Sequence, residues 1–376
     1  MYKEGSAMIL KHENAFLNPK GRASREISLG IAKLVYKGGE ILDATAATGI
    51  RGIEYSARLD AKVTMLEINK TVYEELSENL KYNYENGVIK KKNVQALNES
   101  FQRFANTTEK KFEIIDIDPF GGAAPYVYDA MKLVSDSSYL FVTATDVAVL
   151  CGAHRNACLK LYGAVPMHNE FCHEAGIRIL LGYIAKIAAQ FNYGIAPVIS
   201  LYYAHYMRVF VRLEHGAKNA MASIGKLGYA HYCDKCGNRH SEVGMFPKER
   251  KCEVCGSDMN TAGVMWIGSI KDDDTAKKVY EHLQDGASKE AKNILERIVE
   301  EIDMPFYYSI PHLTKKLAIG SINRGDLMAA LSRRGKVSKT HFDYSSIKTD
   351  VPYKDIIDIT KMLYEKREQR KQPEQS

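Results

Sequence analysis

Short apolar runs and helical stripes follow one another through the first two-thirds of the chain. Residues 40–43 predict a strand, and a loop of small residues, 44–52, leads into a helix through Leu59. Residues 62–66 predict a second strand and 93–100 a third with a polar tip. A fourth strand at 112–115, a fifth at 139–146 and a closing pair at 195–203 and 207–213 complete the series. Between them, Ile27, Ile31, Leu34 and Val35 mark one face of a helix beginning at Ser24, and Leu76 and Leu80 the inward face of another at 72–84. A further helix is predicted at 176–191. Strands alternating with helices predict an α/β fold with a mostly parallel sheet.

The pattern changes after this series. Cys233-x2-Cys236, fifteen residues, then Cys252-x2-Cys255 sets two thiolate pairs in one short stretch. Two such knuckles complete a closed tetrahedral zinc site, structural because no coordination position stays open. A redox role for the pairs is the alternative. Arg239, His240, Lys248, Arg250 and Lys251 decorate this ribbon, as RNA contacts or as a solvated face. From Lys271 the chain turns helical, at 275–283 and 288–301. Helices at 311–318 and 322–332, then a strand at 337–342, predict a winged-helix-like module. Arg333, Arg334, Lys336, Lys339 and Lys348 form its candidate phosphate-contacting edge. A charged tail after the last helix is expected to fray.

Composition narrows the classes. The 376 residues hold two or three domains, and 45% apolar content builds a proper core. There is no 18-residue apolar run and no signal-peptide core near Met1, so a soluble, cytoplasmic chain is expected. A net charge of +6 permits a polyanionic partner without demanding one. Nucleophilic catalysis by Cys151, His154, Cys172 or His173 has no orienting spacing in its favour.

The chemistry concentrates at strand ends. Asp116-Ile117-Asp118-Pro119-Phe120-Gly121 closes the fourth strand, and in open α/β sheets such ends face the ligand crevice. A carboxylate there can accept from an exocyclic amine and an aromatic ring can stack on a planar base, although these residues alone favour a plain strand-ending turn. The 44–52 loop lacks a full G-x-G-x-x-G, so a pyrophosphate is poorly supported. Glu67 ends the second strand 24 residues after Asp43, where an acid can hold ribose hydroxyls. A loop for adenosine without diphosphate, plus that acid, points to S-adenosyl-L-methionine rather than NAD. An antiparallel last hairpin on the sheet is the layout of a Rossmann-like class I methyltransferase.

In its ordered blocks the chain resembles the tRNA (guanine-26,N2)-dimethyltransferase family. The blocks are Phe16-x-Asn18-Pro19 with Arg25, Asp43-Ala44-x-x-Ala47-Thr48-Gly49-Ile50-Arg51-Gly52 and Asp116 to Gly121. Thr143-Ala144-Thr145-Asp146, Leu150-Cys151-Gly152-Ala153-His154 and Glu170-Phe171-Cys172-His173-Glu174 continue the series. The resemblance implies that Arg25, Arg51, Glu67, Asn98 and Glu99 bind S-adenosyl-L-methionine. It implies that Asp118 is catalytic, accepting a hydrogen bond from the guanine amine and taking up its proton, while Phe16 and Phe120 enclose a flipped-out base. It further implies a catalytic domain at 1–268, with the zinc ribbon at 229–262 inside it, and a tRNA-binding C-terminal domain at 269–376. The partner it implies is tRNA, with no membrane and no obligate protein partner.

Overall fold

The computed structural model describes residues 1–90, 93–284 and 286–371. Contacts divide the chain into two compact units built from interleaved segments. The first comprises 1–146, 183–224 and 271–295; the second comprises 147–182, 225–270 and the described chain from Glu296 onward. These units do not follow a single boundary between 268 and 269. The ribbon packs with the C-terminal residues, while 271–295 packs with the sheet. Gly30 shows why the latter segment belongs there: a Cβ on it would lie 2.9 Å from Leu283 Cδ1, so only glycine admits so close an approach.

The first unit is organised by a seven-stranded sheet. Its strands are β1 (Glu40–Asp43), β2 (Lys62–Leu66), β3 (Val94–Leu97), β4 (Phe112–Ile117), β5 (Val134–Ala144), β6 (Tyr193–Tyr203) and β7 (Tyr206–His215). Across the sheet they run β3-β2-β1-β4-β5-β7-β6. The first five are mutually parallel, and β7 pairs antiparallel with both β5 and β6. This is the layout expected from the hydrophobic pattern. Helices α1 (Arg22–Val35), α2 (Ile50–Leu59) and α3 (Lys70–Glu85) belong to the same unit. Ile27, Ile31 and Val35 are buried on α1, and Leu76 and Leu80 on α3.

β4 runs two residues beyond the apolar stretch that predicted it, carrying the charged Asp116 into the sheet. Asp116 is fully buried and is held by Arg208 Nη2 at 2.8 Å and by Tyr55 Oη at 2.6 Å. A paired charge can extend a strand where an unpaired one would end it. The strand stops at Ile117, directly before Asp118-Pro119.

The second unit contains a three-stranded ribbon, with Leu227–Tyr232 between Arg239–Val243 and Asn260–Trp266. Its C-terminal part has strands Tyr308–Ser309, Val337–Lys339 and Ser346–Thr349, the last lying centrally, with helices Ile310–Lys316 and Arg324–Leu331. That is the strand and helix order of the expected winged-helix-like module. Leu313, Leu327, Leu331, Ile347 and Ile356 make its core. The last helix is Tyr353–Lys371, and the tail expected to fray lies from 372 onward, outside the described residues.

Two basic residues assigned to nucleic-acid faces are instead interior. Lys348 is 2% exposed, with its Nζ 2.7 Å from Glu301 and 3.2 Å from Glu174. Arg239 pairs with Glu170 at 2.5 Å and lies 4.1 Å over the Tyr308 ring. Charge clusters that look like surface in sequence are buried here because carboxylates spaced far along the chain come to meet them. Replacing Lys348 by Ala should strand Glu174 and Glu301 as buried, uncompensated carboxylates. We expect a loss of about 3–5 kcal/mol of stability by denaturant unfolding, against about 0.5 kcal/mol or less for exposed Lys339→Ala.

Candidate active site

A cavity of about 330 Å³ opens at the C-terminal ends of the parallel strands. The loop after β1 shapes one wall: Ala44 N donates to Asp116 O and Ala46 N to Leu66 O, each at 2.9 Å. The loop turns at Gly49 with φ 81°, where a Cβ would lie 2.3 Å from Leu76 Cδ1. At the end of β2, the Glu67 carboxylate accepts from Ala47 N at 3.1 Å and from Asn69 N at 2.8 Å. Ionised, it has room for two more donors.

The segment after β4 is fastened from both sides. Asp118 N donates to Thr45 Oγ1 at 3.0 Å, and Gly121 N to Thr145 Oγ1 at 2.7 Å. This presents Phe120 outward, 74% exposed. Phe16, 60% exposed, meets it edge to face with ring centres 5.0 Å apart and planes at 68°. Glu75 of α3 holds the approach to Phe16 by accepting from Asn14 N and Ala15 N, each at 3.0 Å. The two rings cover one another in this structure, leaving no slot between them.

Beneath the cavity lies a lattice of buried charges. Asp118 Oδ2 accepts from Arg51 Nε at 2.9 Å and Nη2 at 2.5 Å. Arg208, fully buried, reaches Asp116, Ser28 Oγ at 3.0 Å and Thr143 Oγ1 at 2.5 Å. Burial alone would raise the Asp118 carboxyl, but Arg51 and Arg208, with hydrogen bonds from Arg51 and Thr143, hold it at about 2. Such an acid is charged and available as a hydrogen-bond acceptor. Burial also opposes the charge on Arg51, yet Asp118 and Asp116 outweigh it and raise its pKa. Asp43 goes the other way. Burial first, then the neighbouring Asp116, push it up to about 7, and its Oδ1 has no hydrogen-bond partner.

The family model for N2,N2-dimethylguanosine tRNA methyltransferases matches residues 2–361. The chain belongs to this family. It is 33% identical to the tRNA (guanine(26)-N(2))-dimethyltransferase of Pyrococcus horikoshii, over 96% of this chain and 98% of the relative. The enzyme of the same name from Thermococcus kodakarensis gives 33% identity over 96% and 98%. Among solved structures, Trm1 from Pyrococcus horikoshii with S-adenosyl-L-methionine superposes with a TM-score of 0.88 at 32% identity, covering 95% of this chain and 98% of that one.

Of the residues the sequence nominated in this dimethyltransferase-family chain, Phe16, Arg25, Arg51, Glu67, Glu99, Asp118 and Phe120 all line the one cavity. Asn98 does not. It is exposed, and its amide donates to the carbonyls of Glu67 at 2.9 Å and Ile68 at 3.2 Å, bracing the β2 loop instead. Ser100, Phe101 and Gln102 stand on the wall beside Glu99. Arg25 gives its Nε and Nη2 to Glu4, each at 2.6 Å, and bonds Asn18 O at 3.2 Å, so most of its N–H groups face the protein. Sequence reasoning missed Arg208, Thr45, Thr145, Glu75 and Tyr206. Arg208 alone carried a signal, as a charge inside an otherwise apolar strand run.

In the second unit, the four ribbon thiols lie within 4.8 Å of one another. Cys233 and Cys255 sulfurs are 3.4 Å apart, and those of Cys236 and Cys252 are 3.5 Å apart. The two knuckles repeat one bonding pattern, Gly237 N to Cys233 O and Gly256 N to Cys252 O, each at 2.8 Å. A tetrahedral zinc with bonds of about 2.3 Å places its sulfurs roughly 3.8 Å apart, so the donor set fits that ion. Cys151, Cys172 and His173 also converge within 4.8 Å, which the sequence spacing did not indicate.

Two outcomes follow from these sites. Because Asp43 is raised when folded, its protonated form favours folding; its contribution is full below about pH 4 and is lost as pH rises towards 7. Asp43→Asn should remove up to about 1.4 kcal/mol per pH unit of that slope, read from urea unfolding at several pH values. Purified protein should carry zinc stoichiometrically by atomic absorption, and stripping it with a chelator or Cys252→Ser should lower the melting temperature.

Proposed function

We propose that this chain transfers methyl groups from S-adenosyl-L-methionine to the exocyclic N2 amine of guanine 26 in tRNA, ending at the dimethylated base. The observation that supports this best is the convergence of Glu67, Arg51, Asp118, Phe16 and Phe120 on one cavity at the sheet's C-terminal edge. Bound there, S-adenosyl-L-methionine supplies a methyl group activated by a positively charged sulfur. Glu67 uses its remaining lone pairs for ribose hydroxyls, with Glu99 and Phe101 beside the adenine. Arg25 and Arg51 would supply the positive charge that holds the methionine carboxylate.

The guanine amine is a weak nucleophile because its lone pair is shared with the ring. Asp118 accepts a hydrogen bond from it, restoring electron density to the nitrogen, and takes up the proton that the nitrogen loses as it gains the methyl group, releasing it afterwards to water. Phe16 and Phe120 separate from their edge-to-face contact and hold the base between them, after the tRNA has surrendered it from its stack at a cost of a few kcal/mol. Orientation of the amine in this way is worth on the order of 7–11 kcal/mol at best. We further propose that residues 269–376 bind tRNA, through exposed Arg333, Arg334, Lys336 and Lys339. The chain acts in the cytoplasm and needs no obligate protein partner. Among the described residues, no helix is long and apolar enough to cross a membrane.

Labelled cofactor, tRNA and nucleoside mapping by mass spectrometry test the reading. Asp118→Asn should cut methyl incorporation by roughly 100-fold or more, and Phe120→Ala by about tenfold with the fold's stability little changed. Full incorporation by Asp118→Asn, or label in any position other than guanine N2, would overturn it.

A further inference from the structure

Two buried hydroxyls in the cavity wall, Ser24 Oγ and Tyr206 Oη, face one another and have no other hydrogen-bond partner. Ser24 is 2% exposed and Tyr206 7%. Two facing hydroxyls share one hydrogen bond at most and keep donor and acceptor capacity to spare, and in the wall of a ligand cavity that capacity is open to the ligand. The question is which ligand.

The sheet answers by its order. Glu99 follows β3, Glu67 follows β2, the 44–49 loop follows β1, and Asp118 follows β4. Glu99, Glu67 and the 44–49 loop, proposed for the adenosine part of the cofactor, therefore end at β1, and Asp118 marks where the amine is held. Beyond Asp118 come β5 and then β7. Thr143 of β5 stands opposite Arg208 of β7. Tyr206 lies two positions before Arg208 on the same strand, hence on the same face. Arg208 of that face binds Thr143 and Asp116, and Thr143 and Thr145 line the cavity along with Tyr206. Tyr206 is thus on the far side of Asp118 from Glu67 and Glu99.

We infer that Tyr206, with Ser24 beside it, is a specificity residue that hydrogen-bonds the edge of the guanine next to its amine. This rests on the proposed function. The ring positions flanking N2 are N3, an acceptor, and N1–H, a donor. A tyrosine hydroxyl can serve either, with the bonding capacity it keeps beyond Ser24. An amine held by Asp118 and an adjacent ring nitrogen held by Tyr206 together fix the base in its plane, which a stacking clamp alone leaves free to rotate.

The test uses full-length protein and tRNA carrying guanosine, 3-deazaguanosine or 1-deazaguanosine at position 26. Wild-type enzyme must first methylate guanine N2; if it does not, the proposed function fails and this inference with it. Given that activity, Tyr206→Phe should lower kcat/KM for tRNA roughly tenfold, with the Kd for S-adenosyl-L-methionine, measured by calorimetry, unchanged. Ser24→Ala should act in the same direction. The loss from Tyr206→Phe should vanish on one analogue, the one lacking the ring group that the hydroxyl meets, and a merely structural role would leave it the same on all three. Equal kcat/KM for variant and wild type, a parallel weakening of cofactor binding, or a loss that persists on both analogues overturns the inference.

Discussion

The buried pairing of Asp116 with Arg208 is the contact on which the first unit's site depends. It lets β4 carry a carboxylate through the sheet and draws β7 and the α2 residue Tyr55 into one lattice. Two arginines, Arg51 and Arg208, then serve three carboxylates, Asp43, Asp116 and Asp118. That shortage of positive charge sorts the acids. Asp118, bonded directly to Arg51, is held strongly acidic. Asp43, without such a bond, is driven towards its neutral form. Acidity across the site is set by who reaches a guanidinium, not by residue type.

The reactive edge is built on this foundation by hydrogen bonds that are individually ordinary. Thr45 and Thr145 fasten the turn that carries Asp118 and Phe120, while Glu75 of α3 fixes the approach to Phe16. The exposed aromatics therefore stand on braced loops rather than on free ones. Two phenyl rings exposed by more than half are expensive surface for a monomer to keep, and their mutual edge contact covers part of it.

The second unit follows a different economy. Its ribbon relies on four sulfurs, and its interior holds ion pairs such as Glu174 with Arg178 and Lys348. Both arrangements use long side chains and polar groups where a larger apolar core would otherwise be needed. Four thiols that stay uncoupled from one another in sequence by fifteen residues become one donor set only after the ribbon pairs its strands.

By itself the sequence determined the alternation of strands and helices, the antiparallel closing pair, the zinc knuckles and seven of the residues on the cavity wall. Those features are legible because they are local: a period of two or of 3.6, a proline after a strand, a fixed Cys-x-x-Cys spacing. The interleaved units, the interior position of Arg239 and Lys348, the diversion of Asn98 to backbone carbonyls and the heightened acidity of Asp118 were decided by tertiary structure. Each depends on a partner distant in the chain, such as Glu170 for Arg239, Glu301 for Lys348 and Arg51 for Asp118. A charged residue's role is fixed by the opposite charge that folding brings to it, and that meeting leaves no periodic mark in the sequence.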